Sequence, residues 1–175
     1  MRDPTPASTT RSARQATTSP RSPPSRYRLI VNGHRAWEQS DACNLDMPGA
    51  AHLVVIETPQ ELVAIKAFVM NLPSGTAGNA IWIGGVQPKT ATSPSDGWIG
   101  FDGEPLLYGW GGSEPNDSPN NGESDHAEQF VAMEKALPYF LDIPGGNTFG
   151  ALCECDGKAI DPNAAILVDS YRPPP

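Results

Sequence analysis

The chain reads as an α+β domain, and three observations predict it. Tyr27-Arg-Leu29-Ile30-Val31 alternates like a strand, and two helix-patterned stretches follow it. Past Pro73 the pattern changes to short apolar strands separated by turn residues. Residues 102–128 then form a long loop, mostly Gly, Pro, Asn, Asp, Ser and Glu without periodicity. A strand, two helices, and strands around one long loop is the order of an α+β domain. Loops of that length inside a compact domain usually carry function.

Residues 1–25 are dominated by Pro, Ser, Thr, Ala and Arg, with no aliphatic side chain larger than alanine except Met1. Such a stretch buries too little apolar surface to offset its ordering entropy, so it is expected to be a disordered linker or stalk. The domain is expected over 26–157, with 158–175 as a C-terminal tail. After the first strand, Asn32-Gly33 turns the chain. Ala36, Trp37, Ser40 and Cys43 share one helical face, ending before Gly49. His52-Leu53-Val54-Val55-Ile56 reads as a short buried strand. Thr58-Pro59-Gln60-Glu61 is a capping box with proline at the first helical position. Leu62, Ile65, Val69 and Leu72 continue that helix as an apolar stripe. The later strands are Ile81–Gly84, Trp98–Phe101, Phe130–Met133 and Phe149–Cys153.

Composition narrows the function. With 175 residues the chain can build one domain with a real core. Hydrophobic residues make up 38%, and no apolar run is long enough to span a bilayer, which argues against membrane insertion. The net charge is −8; residues 1–25 hold Arg2, Arg11, Arg14 and Arg21 against Asp3, a balance of +3 that leaves −11 for the rest. An acidic body argues against nucleic acid as a partner. It suits a cation site, or simply a solvated surface. Cys43, Cys153 and Cys155 allow one long-range bridge and a spare thiol, or three unpaired thiols. No apolar segment follows Met1, so no secretory signal is visible: either export information was removed with an upstream region, or the chain is cytoplasmic.

The densest chemistry lies at Trp110-Gly-Gly-Ser-Glu114-Pro115-Asn116. A carboxylate and an amide flank a proline that holds them at nearly fixed separation. Hard oxygens on a stiff loop suit calcium; the same residues also suit a surface turn.

From about Tyr27 to Asp156 the chain resembles a C-type lectin-like domain. The landmarks keep their order: Trp37 and Cys43, then His52–Ile56 and Glu61, then Trp82-Ile83-Gly84. Trp98, Asp102-Gly103 and Pro105-Leu106 lead to Trp110 and Glu114-Pro115-Asn116, and Asp142 and Leu152-Cys153-Glu154 close the set. The resemblance implies two helices packed on small, mostly antiparallel sheets with a long irregular loop region. It implies a disulfide between Cys43 and Cys153, with Cys155 left over. The positions of a second bridge common in the family are taken by Phe130 and about Gly145.

In sugar-binding members a calcium ion in the long loop takes two neighbouring sugar hydroxyls, and its ligands also hydrogen-bond them. Carried over, Glu114 and Asn116 are the first two metal and sugar ligands, and the Glu114–Pro115 bond is cis. The triplet resembles the type associated with mannose, GlcNAc and fucose. Glu128 is the third ligand by its offset from the strand at Phe130, with Glu123 the alternative by its offset from Asn116. Asp142 is the last. Leu141 stands where sugar binders have Asn, leaving about five protein oxygens where Ca²⁺ takes 6–8. Asp117 and Asp125 are candidates for an auxiliary ion.

The implied function is calcium-dependent carbohydrate binding, with a glycoconjugate as partner, outside the cell or at its surface. The alternative is a calcium-independent protein-binding or adhesion domain on the same fold. An enzyme is not expected: His34, His52 and His126 share no metal-type spacing, and nothing in the sequence supports the pair of carboxylates opposed across a cleft that glycosidases require. Asn116-Asp117-Ser118 matches a glycosylation acceptor, but a glycan there would obstruct the implied site.

Overall fold

The computed structural model describes residues 25–118 and 127–174. The linker expected over 1–25 lies outside them except for Ser25. The elements are β1 (Arg26–His34), α1 (Ala36–Asp46), β2 (Ala51–Leu53), α2 (Pro59–Met70) and β3 (Ala80–Val86). They continue with β4 (Ile99–Gly100), β5 (Phe130–Glu134), β6 (Phe140–Ile143), β7 (Phe149–Cys155) and α3 (Pro162–Ser170). The fold is α+β. The strands join one seven-stranded sheet in the order β1-β7-β3-β5-β6, with β2 pairing β7 and β4 pairing β3. Among the named strands described, β3 and β7 pair in parallel and the other pairings are antiparallel.

Every residue of β3 is buried because both faces of the sheet are covered. Trp82 points with Trp37, Leu53, Phe101 and Phe130 into one core, while Ile81 and Ile83 point with Ile65, Val69, Val131 and Met133 into the other. The alternation is the period-two rule of strands. Each such aliphatic or aromatic side chain contributes about 1.5–3 kcal/mol on burial.

The caps form largely as read. The Thr58 hydroxyl accepts the N–H of Glu61 at 3.1 Å, but the Glu61 carboxylate accepts from Glu57 N–H at 3.0 Å, one residue before the cap. Its other oxygen takes the Tyr27 hydroxyl at 2.6 Å, which ties α2 to β1.

Cys43 of α1 is bonded to Cys153 of β7, with Cα atoms 5.4 Å apart, and Cys155 is free. Gly145 lies directly against Phe130: a Cβ there would stand 2.4 Å from the ring. The ring of Phe130 therefore fills the space between the two positions, edge-on to Trp37, Trp82 and Tyr171.

The stretch 158–175, read as a tail, differs. Asp161 caps α3 by accepting the N–H groups of Asn163 and Ala164 at 2.8 and 3.3 Å. Ala164 and Val168 are buried in the Trp82 core, and the Tyr171 hydroxyl donates to the carbonyl of Gln87 at 2.7 Å. Arg172 grips Asp41 of α1 with two nitrogens at 2.7 and 2.6 Å. The helix belongs to the packed body because its apolar face has a core to cover.

Candidate functional site

Trp110 fixes the start of the loop that carries the candidate ligands. Its ring packs edge-on against Trp98 and Phe140, at 5.0 and 5.9 Å between centroids, and its backbone bridges to Phe140. Gly111 N–H donates to Phe140 at 3.3 Å, and its own carbonyl accepts the N–H of Glu114 at 2.7 Å. The loop is thus hung on the first residue of β6, the strand that also carries Asp142.

The Glu114–Pro115 peptide bond is cis. The Asn116 amide nitrogen donates to Glu114 Oε2 at 2.5 Å. Asp142 faces the same turn: its two oxygens accept Asn116 N–H at 3.0 and 2.9 Å, and one accepts Asp117 N–H at 2.6 Å. Alternation along β6 produces this, since Phe140 and Asp142 point inward together while Leu141 points to the other side.

Asp117 is fully buried, with φ of 50°, a left-handed conformation that aspartate tolerates better than most residues. Its carboxylate accepts Glu128 N–H at 2.9 Å, and Glu128 Oε2 accepts Ser118 N–H at 2.6 Å. Asp117 therefore braces the two sides of the long loop against each other, a supporting role that its sequence position between Asn116 and Ser118 did not reveal.

Burial pushes the Glu114 carboxyl up to about 8, and a hydrogen bond with Asp142 and the charges of Asp142, Glu128 and Glu134 push the same way. Among the described residues, no lysine, arginine or histidine pairs with Glu114 or Asp142. Glu114, Asn116 and Asp142 are thus brought together, and Glu128 joins them through Ser118 and Asp117. Glu123, Asp125 and His126 lie outside the described residues.

The donor set is all oxygen and mostly anionic, which suits a hard divalent cation. It is not a ready-made cage: among the described residues no three His, Cys, Asp or Glu side chains are grouped as a metal site. Asp142 is occupied by backbone N–H groups, and the Asn116 amide turns its nitrogen to Glu114. Oxygen donation by Asn116 needs that amide to rotate. Burial and the neighbouring carboxylates disfavour the charged form of Glu114, an electrostatic cost that a cation would relieve.

No protein-family model matches the sequence, and no curated protein matches it. Solved structures do. The mouse scavenger receptor C-type lectin carbohydrate-recognition domain matches with TM-score 0.58 and 19% identity, over 78% of this chain and 92% of that one. The C-type lectin CEL-I from Cucumaria echinata matches with TM-score 0.60 and 17% identity, over 74% and 89%. The cow C-type carbohydrate-recognition domain of CD23, solved in the presence of a GlcNAc2Man3 oligosaccharide, matches with TM-score 0.57 and 21% identity, over 82% and 100%. At these identities the likeness is one of fold: the chain has the C-type lectin fold.

Proposed function

We propose that the chain is a carbohydrate-binding module without catalysis of its own, which recognises a vicinal diol of the mannose, GlcNAc or fucose type through calcium. The observation that carries this reading is the turn Glu114-Pro115-Asn116 drawn onto Asp142, an acidic and amide cluster with no described basic partner for Glu114 or Asp142. Glu114, Asn116, Glu128 and Asp142 would hold the ion. Bound there, calcium supplies open coordination positions for two adjacent hydroxyls. The chain's own part is to position that pair: carboxylate oxygens accept from the hydroxyls, and the Asn116 amide nitrogen donates to one of them. The Cys43–Cys153 bridge favours an oxidising compartment, outside the cell or at its surface. Among the described residues no helix is long and apolar enough to cross a membrane.

A second reading keeps the fold and drops the ion: a protein-binding or adhesion domain. It is favoured by Leu141, which brings no oxygen to the site, and by the engagement of both Asp142 oxygens with backbone N–H groups. Passage over immobilised mannose separates the two. The sugar-binding reading predicts retention in calcium and release by chelator. Flow-through in both conditions, with partner capture that survives chelator, would replace it with the second.

A further inference from the structure

We propose that the segment just before β1, Pro20-Arg21-Ser22-Pro23-Pro24, docks in an acidic cavity at the start of the long loop, with the Arg21 guanidinium on Asp102 and Glu104. The cavity holds about 320 Å³ between the β2–α2 connection, at Val55 and Glu57, and the loop residues Asp102, Glu104, Leu106 and Tyr108. Its walls are tied in place. The Glu104 carbonyl accepts Gly100 N–H at 2.8 Å, and Leu106 N–H donates to the Trp98 carbonyl at 3.0 Å. The Tyr108 hydroxyl donates to the Ile56 carbonyl at 3.2 Å, which joins the two sides. A cavity held this way loses little freedom when it is filled.

Charge selects the occupant. Lys158 pairs with Glu57 at 2.6 Å, but no described lysine, arginine or histidine pairs with Asp102 or Glu104. Burial first, and then the charges of Glu61, Glu57 and Asp102, push the Tyr108 hydroxyl up, so these carboxylates bear on one wall. Residues 1–25 carry a balance of +3 against −11 for the rest of the chain. The apolar part of the wall, Leu106 and the Tyr108 ring, suits the prolines. Pro20 and Pro23 bracket Arg21 with the spacing of polyproline II ligands, which lay their rings on aromatic and aliphatic surfaces at low ordering cost. Arginine adds a planar fork matched to carboxylates.

The segment also begins at the edge of the cavity. The Ser25 side chain hydrogen-bonds Glu154, and Glu154 Oε2 accepts Val55 N–H at 3.3 Å. Two hydrogen bonds and one carboxylate thus separate Ser25 from the cavity wall, a span of about 10 Å. Arg21 precedes Ser25 by four residues, and a polyproline II backbone of that length covers about 12 Å. The arginine therefore reaches the two unpaired carboxylates without disturbing β1.

Trypsin cleavage of the native full chain at low ionic strength tests the docking, with Arg11 as the internal reference and neither calcium nor sugar added. Asp102→Asn combined with Glu104→Gln should raise the rate of cleavage after Arg21, relative to Arg11, by about fivefold, the scale of losing exposed ion pairs that hold a segment closed. Glu104→Gln alone should give part of that rise, even if the double variant fails to fold. Sodium chloride at about 0.5 M should raise the ratio in the unaltered chain and leave it unchanged in the double variant. A ratio indifferent to salt and to both variants would overturn the proposal. So would protection of Arg21 that grows with protein concentration, which would put the segment on a neighbouring copy instead.

Discussion

Both carboxylate oxygens of Asp142 accept the backbone N–H of Asn116, at 3.0 and 2.9 Å. One side chain of β6 thereby holds the turn that follows the cis proline, and the same carboxylate is the last ligand of the proposed ion. Asp142→Ala should therefore have two effects. Calcium-free stability should fall by about 2–3 kcal/mol, the scale of lost charged hydrogen bonds to buried groups, as read by urea denaturation in chelator. Calcium-dependent sugar binding should disappear as well.

The Glu114 carboxyl gives a pH signature. Its folded value, pushed to about 8 by burial and by Asp142, lies above that of a free glutamate. The folded state thus holds this proton more tightly than the unfolded chain. In chelator the resulting stabilisation is full below the ordinary glutamate range and is lost as pH rises through about 8. Thermal melts between pH 5 and 9 check it, and Glu114→Gln should flatten the profile. Calcium uptake near neutral pH should release a proton, visible as a dependence of binding heat on buffer ionisation enthalpy.

Leu141 stands beside Asp142 without a side-chain oxygen. Leu141→Asn restores one, and calcium affinity should rise about tenfold by calorimetry. Unchanged affinity would mean that the residue does not reach the ion.

Tyr171 joins α3 to the body through Phe130 and the Gln87 carbonyl. Tyr171→Ala should cost about 2–3 kcal/mol in chemical denaturation, from lost packing and an orphaned carbonyl. Its effect on calcium binding should be small.

The disulfide spans 110 residues of sequence and joins α1 to β7. The double variant Cys43→Ser, Cys153→Ser should lose about 2–5 kcal/mol of stability, since the unfolded chain regains the freedom of that loop. Cys155→Ser should lose little.

The elements legible in the sequence were those whose local signals agree with their packing. Thr58-Pro59 starts α2 as its chemistry dictates, and Ile81-Trp82-Ile83 is apolar throughout because both faces of β3 are covered. α3 escaped notice although Asp161-Pro162 carries the same kind of start signal as Thr58-Pro59. At nine residues between Gly157 and a proline-rich end, its apolar face has meaning only once Phe130 and Val86 provide a core to cover. At the site, the triplet around Pro115 stood out by its composition, whereas Asp142 was reached only through the family resemblance, since no strand was read over Phe140–Ile143. The bracing role of Asp117 was not legible, because its bond to Glu128 N–H crosses the long loop, and no local pattern encodes that.

The central claim is that one cation is held by Glu114, Asn116, Glu128 and Asp142. Calorimetric titration of Ca²⁺ into the chelator-stripped chain, repeated with Asp142→Ala and Glu128→Gln, tests it most directly. The account predicts one ion per chain, binding abolished by the first variant and weakened by the second. No calcium-dependent heat from the unaltered chain, or identical isotherms from all three proteins, would contradict it.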